Sequence, residues 1–268
     1  MDVLRLYSRI LAKATDLGAS LVGIANVGDL KNAPSFTVSP KMPPYNGVGV
    51  YKEGMDTHGN GEVEWPEGAK SVIVIGYAHP KGKPELDFWY GDTSPMGNRK
   101  LIGIAKGLIQ WLQKEYGISP FHLPYHIERG GIYLKDAAVY AGMGCIGKNN
   151  LLVTPRYGPR IRLRGLTIDV DLPSTGPIAF DACAYCDERC NRACPQNSFK
   201  EKLYTTEKFE REELPGREGD YDRILCNVQM KIDEENAKEE DVEGIKERVR
   251  VLKYCRVCEF SCPVGKNS

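Results

Sequence analysis

CAYCDERCNRACP (183–195) and CRVCEFSCP (255–263) decide how this chain is organised. Each run spaces its cysteines two or three residues apart and ends in Cys-Pro. A [4Fe–4S] cubane needs four thiolates, one for each iron. Close spacing lets one tight loop wrap three corners, with backbone N–H groups turned toward the sulfides. In two-cluster ferredoxins the last cysteine of such a run is carried away to ligate the other cluster. That crossing rule gives one cluster to Cys183, Cys186, Cys190 and Cys262, and the other to Cys194, Cys226, Cys255 and Cys258. The isolated Cys226 completes the second set, and no cysteine after residue 180 is left over. Two zinc sites would also consume these thiolates, but they do not ask for two Cys-Pro endings. The Cys186–Cys190 interval is wider than the ferredoxin spacing by one residue, a loop that still fits a cluster.

The rest of the chain bounds this reading. Its 268 residues suffice for one large or two smaller domains. Lys plus Arg and Asp plus Glu both number 36, so no net charge draws the chain to nucleic acid or an acidic membrane. The opening MDVLRLYSRILAKATDLG (1–18) has a helical period with charges throughout, unlike a secretory or twin-arginine leader. No apolar run reaches bilayer length. A cytoplasmic protein without membrane contact is expected, where reducing conditions favour metal-bound thiolates over disulfides.

Upstream of the cysteines, residues 3–17 read as a helix and 21–27 as a strand. Residues 31–69, rich in Pro and Gly, read as a long irregular excursion. SVIVIGYA (71–78) reads as a central strand, and 100–117 as a helix capped by Gly117. Residues 121–128 read as extended, 132–144 as a second helix, and 150–154 and 161–172 as strands, the latter with one face buried. Arg156, Arg160, Arg162 and Arg164 read as a solvated basic face, with phosphate contact as the alternative. The composition breaks at 172–177. The charged runs 200–224 and 231–250 read as solvated helix or insertion between ligands. The order of elements predicts an α+β domain over 1–172 and a double-cluster, ferredoxin-like domain over 173–268.

KDAAVYAGMGCIGKNNLLVTPRYGPRIRLRGLTIDVDL (135–172), followed by the double Cys-Pro pattern, resembles epoxyqueuosine reductase and, more distantly, the reductive dehalogenases. DLGASLVGIANV (16–27), WPEGAKSVIVIGYAHP (65–80) and Cys226-Asn-Val-Gln-Met are similar to further elements of that family. The resemblance implies a nitroreductase-like first domain that binds cobalamin, with two [4Fe–4S] clusters feeding it electrons. It implies that Gly142, Gly144, Cys145, Gly147, Lys148 and Asn149 line the cofactor or substrate. Glu128 falls where the family carries a proton-donating aspartate, within Ile-Glu-Arg-Gly-Gly rather than Asp-Ser-Ala-Pro. Blander readings stand beside these: Glu128 as a surface group paired with Arg129, Lys148 as an exposed turn residue, and Cys145 as an inert buried thiol where the family often has tryptophan.

A reductase of a small-molecule or nucleoside-type substrate is therefore expected, fed by an electron donor such as ferredoxin or flavodoxin. The chain stops six residues after Cys262 and has no helical-repeat extension, which points away from tRNA as substrate. The missing twin-arginine leader points away from organohalides. Two alternatives remain: a ferredoxin-type protein that reduces a partner corrinoid or flavin enzyme without an organic cofactor of its own, and an FMN enzyme on the same layer.

Overall fold

Ser71–Ala78 is apolar at nearly every position, as a strand must be when both of its faces are covered. In the computed structural model, which describes residues 2–43, 45, 47–50, 58 and 62–265, it lies inside an antiparallel sheet. The strands are β1 (Leu21–Asn26), β2 (Ser71–Ala78), β3 (Trp89–Tyr90), β4 (Phe121–His122), β5 (Cys145–Ile146), β6 (Leu152–Val153), β7 (Ile161–Ile168), β8 (Lys238–Glu240) and β9 (Val249–Leu252). The helices are α1 (Val3–Asp16), α2 (Val27–Lys31), α3 (Pro34–Val38), α4 (Met96–Tyr116), α5 (Leu134–Tyr140), α6 (Arg189–Arg192), α7 (Thr206–Phe209), α8 (Arg223–Glu235) and α9 (Val257–Ser261).

The main sheet runs β1-β2-β7-β4, with Ile24 opposite Ile73 and Ile73 opposite Leu166. Those three side chains are fully buried beneath α1 and α4, together with Leu6, Ile10, Leu108 and Leu112. Asp2 caps α1 by accepting from the amides of Leu4 and Arg5. Leu6, Ile10 and Ala14 recur at helical spacing on its buried side. Gly117 ends α4 with φ 66°, a left-handed cap that costs glycine nothing. The opposite face of the sheet buries Val72, Val74 and Leu163 against Ala137, Ala138 and Met143 of the α5 region. Truncating a residue such as Ile73 or Leu108 to alanine should cost about 2–5 kcal/mol.

Several expectations need correction. β7 has both faces covered, because α4 and α5 pack on opposite sides of it. The second helix spans only Leu134–Tyr140, since Gly142 takes φ 68° and Cys145 enters a hairpin with β6. The stretch expected to be irregular from residue 31 instead begins with α3, and residues 44, 46, 51–57 and 59–61 lie outside the described residues. The charged run 231–250 is the end of α8 followed by the β8–β9 hairpin. β9 also pairs with β3, so the chain after residue 172 is stitched by backbone hydrogen bonds to the chain before it. Among the described residues no helix is long and apolar enough to cross a membrane.

Candidate functional site

Each cysteine run includes a short helix: α6 carries Cys190 and α9 carries Cys258. These helices pack on one another, which brings the two cysteine runs together. Cys183, Cys190 and Cys262 are buried, and the remaining five thiols of the array are partly exposed. Burial pushes the Cys190 thiol up to about 12, and the neighbouring Cys262, Cys183 and Cys186 add to it. Cys262 is raised by burial and again by Cys183 and Cys186. Cys258 is raised by burial, then by Cys255 and Cys226, with a smaller push from Cys190. Cys255 is raised by burial, Asp233, Cys226 and Cys194. Like charges repel most strongly at short range, so thiols of both cysteine runs are near neighbours. Cys186 and Pro263, the residue after Cys262, also line one open cleft with Asp181, Tyr185, Asp187 and Arg189.

Backbone donors face this array. The Lys148 amide lies 3.5 Å from Cys183 Sγ, and the Ser198 amide 3.4 Å from Cys194 Sγ. Such donors stabilise thiolates and the anionic sulfur of a cluster. Carboxylates fix the backbone of the loops themselves: Asp181 accepts from the Cys183 amide at 2.9 Å, and Asp233 from the Cys255 amide at 2.7 Å. Among the described residues no three His, Cys, Asp or Glu side chains are gathered as tightly as one metal ion requires. A single tetrahedral zinc draws four sulfurs to bond length around one point, whereas a cubane spreads them over four iron corners. The donor chemistry, eight thiols in two runs that end in Cys-Pro and an isolated Cys226, fits clusters. With raised thiol pKa values, loading iron must also displace protons.

The glycine-rich segment sits directly against this array. A Cβ on Gly144 would fall 2.0 Å from the Val153 carbonyl oxygen, and one on Gly142 would fall 2.5 Å from that of Thr175. These two glycines permit close packing of protein backbone. Gly147 faces Cys183 Sγ. Lys148 is largely buried and pairs with Glu188 at 2.5 Å and Glu218 at 2.9 Å. Cys145 is half-buried, its thiol raised by burial, with the Ala182 backbone and Cys183 as neighbours. Asn149 is buried; its Oδ1 accepts from the Leu151 amide, and its Nδ2 has no partner among the described residues. An unpaired buried donor costs about 1–3 kcal/mol, so this one asks for an acceptor from outside the chain. A cofactor rimmed by amide carbonyls, as a corrin is, fits it.

Glu128 lies on a 3₁₀ turn, Ile127–Arg129, that Gly130 closes with φ 79°. Its carbonyl accepts the His58 amide at 2.7 Å, and its side chain is partly exposed. Lys135, which precedes the glycine segment, has its pKa lowered to about 8, chiefly by burial, and donates to the Asn150 carbonyl.

The arginine row overturns the expectation of a solvated face. Arg160 and Arg164 are buried, and Arg162 is partly so. Arg162 bonds Asp87 at 3.0 Å and Glu259 at 3.1 Å. Arg256 bonds the same two carboxylates, and Asp87 also lies 2.8 Å from His79 Nδ1. Arg160 donates to the carbonyls of Val264 and Glu259. Only Arg156 is exposed as expected, resting over Tyr157. This ionic seam, which local sequence pattern did not reveal, joins the main sheet to the second cysteine run.

No family model matches the chain. It is 26% identical over 203 residues to an epoxyqueuosine reductase of Lactococcus garvieae, covering 71% of this chain and 55% of that protein. It is 34% identical over 224 residues to a tetrachloroethene reductive dehalogenase of Desulfitobacterium hafniense, covering 70% of this chain and 37% of that one. The chain thus spans about half, or less, of the length of these relatives. A crystal structure of epoxyqueuosine reductase with an epoxyqueuosine-modified tRNA stem loop superposes with a TM-score of 0.62 at 18% identity, covering 99% of this chain and 66% of that one. A Bacillus subtilis epoxyqueuosine reductase with its catalytic aspartate loop swung out of the active site gives 0.61 at 19% identity, over 99% of this chain and 66% of that one. These likenesses bear out the expected resemblance: the chain is a homologue of the epoxyqueuosine reductases and the reductive dehalogenases, and it shares a mixed α and β fold with the former over nearly all its described length.

Proposed function

We propose that this chain is an iron–sulfur reductase whose two [4Fe–4S] clusters supply a cobalamin that reduces a small-molecule or nucleoside-type substrate. The division is the one expected from the sequence: a nitroreductase-like domain over 1–172 holds cobalamin and substrate, and a ferredoxin-like domain over 173–268 holds the clusters. One cluster takes Cys183, Cys186, Cys190 and Cys262; the other takes Cys194, Cys226, Cys255 and Cys258. The observation that supports this reading is that α6, in the first Cys-Pro run, packs on α9, in the second, so the two runs lie side by side as interlocked ligand sets require. When bound, the clusters supply single electrons and cobalamin supplies a strongly reducing metal centre.

The chain's own residues bind, orient and protonate. The Gly142–Asn149 segment forms the wall between clusters and corrin. Gly142, Gly144 and Gly147 keep that wall thin, Lys148 pins it to the first cysteine run, Cys145 backs it, and Asn149 Nδ2 offers a donor to the cofactor. Glu128 supplies the proton that reduction consumes, from the turn that Gly130 closes. Because a homologue is seen with a tRNA stem loop, a nucleoside carried in RNA belongs among the substrates to test. A ferredoxin or flavodoxin is the proposed donor.

A second reading is favoured by the open cleft beside Cys186 and the fully exposed Tyr185. An exposed cluster edge suits an electron-transfer protein that reduces a partner enzyme and holds no organic cofactor. Anaerobic reconstitution separates the two. Iron and sulfide sufficient for two clusters, with one corrinoid retained per chain, are expected. Full clusters with no corrinoid retained would leave only the electron-transfer reading, and a flavin retained instead would make this an FMN enzyme.

A further inference from the structure

We infer that Arg160 raises the reduction potential of the cluster held by Cys183, Cys186, Cys190 and Cys262. This rests on the proposed presence of that cluster. Three guanidinium groups meet at the ionic seam, and two carboxylates meet them. Arg162 and Arg256 each bridge Asp87 and Glu259, so those four charges balance. Arg160 makes no direct ion pair with either carboxylate, although the Glu259 charge acts on it from farther off. It is 3% exposed, and it donates to the Val264 carbonyl at 2.6 Å and the Glu259 carbonyl at 3.4 Å. Among the described residues no carboxylate lies within ion-pair distance of it. The two carbonyls flank Cys262 on either side in the chain.

A buried cation without a counter-ion is expensive, and a fold retains one only where an anion compensates it. The anion available here is the sulfur of Cys262. The guanidinium is held over that stretch of chain by its bonds to the Glu259 and Val264 carbonyls, three residues before and two residues after Cys262. A cluster with four thiolates is negatively charged in both oxidation states and more so when reduced. A cation fixed beside it, shielded from water, therefore favours the added electron. Hydrogen bonds to two carbonyls hold the guanidinium in place without neutralising it.

The test is a redox titration of reconstituted full-length protein, followed by electron paramagnetic resonance. In R160Q, which keeps a side-chain donor for the carbonyls but removes the charge, the reduced-to-oxidised ratio of this cluster at a fixed potential should fall roughly tenfold. That corresponds to about 59 mV for a one-electron couple. The other cluster should move less, and R160K should restore most of the loss. Equal potentials in wild type and R160Q, with both clusters intact, would overturn the inference. If R160Q does not hold its clusters, E259Q decides: removing a balancing carboxylate should raise the potential, and no change or a fall overturns the idea. Wild-type protein that assembles no cluster would instead refute the proposed function on which this rests.

Discussion

The backbone amide of Lys148 donates to the sulfur of Cys183 at 3.5 Å, so the glycine turn of the first half of the chain touches a cysteine of the second. The same residue reaches back with its ammonium to Glu188, between Cys186 and Cys190. One residue thus ties the candidate cofactor wall to the first cysteine loop twice, once through the backbone and once through the side chain. Lys148→Met keeps the amide and loses the ion pairs. Because Glu188 and Glu218 are well exposed, the loss in global stability should be within about 1 kcal/mol. The local effect should be larger: iron should pass to a chelator several-fold faster from the cluster on Cys183, Cys186 and Cys190. Equal chelation rates in mutant and wild type would show that the pin does not hold the loop.

The ionic seam makes a pH prediction. Burial alone would raise the Asp87 carboxyl, but His79, Arg162 and Arg256 outweigh it and hold its pKa below the ordinary carboxylate value. A lowered folded-state pKa contributes stability that is complete above the unfolded value, about 3.9, and is lost as pH falls through the lowered value. Denaturation midpoints should therefore decline below about pH 4 in wild type and decline less steeply in Asp87→Asn. At neutral pH that variant should lose about 3–5 kcal/mol, because Arg162 and Arg256 then share one carboxylate. Matching urea midpoints for the two proteins at pH 7 would show that the seam is energetically idle.

Much of this architecture was legible in local pattern. The unbroken apolar run of Ser71–Ala78 could only be a strand covered on both faces, and Gly117 marked the end of α4 to the residue. The cysteine spacing marked the two runs whose short helices α6 and α9 pack together, because chelate chemistry constrains local sequence. The arginines were misread for the opposite reason. Their alternation along β7 looks like a wet face, and the groups that dry it are remote. Arg162 meets Asp87 and Glu259 from 75 and 97 positions away, and Arg160 meets Val264 from 104. No periodicity encodes such pairs. The shortening of α5 was hidden too, since the apolar pattern continues through Met143 while Gly142 has already left the helix.

Glu128 can be tested apart from the metal centres. Glu128→Gln removes the proton and keeps shape, so cluster and corrinoid spectra should stay as in wild type. Turnover should fall about 10²–10⁴-fold, the usual contribution of a placed general acid. The loss should lie in kcat, with KM nearly unchanged, and Glu128→Asp should recover part of it. A variant that turns over at the wild-type rate would return Glu128 to the surface role that its partly exposed position also allows.

The crossed pairing of cysteines is tested by Cys262→Ser. Cys262 stands four residues after Cys258, on the same short helix and its exit, so a sequential assignment would put both on one cluster. The crossing rule for two-cluster ferredoxins, in which the cysteine before the proline ligates the other cluster, assigns them apart. The residue after Cys262, Pro263, lines the same cleft as Cys186 of the first run. Serine is a harder, less readily ionised ligand than cysteine, so the iron it serves should be bound weakly or lost. Mössbauer and electron paramagnetic resonance spectra should show one damaged cluster and one intact. Cys190→Ser should damage the same cluster, and Cys255→Ser the other. Spectra in which Cys262→Ser and Cys255→Ser spoil the same signal would replace the crossed arrangement with a sequential one.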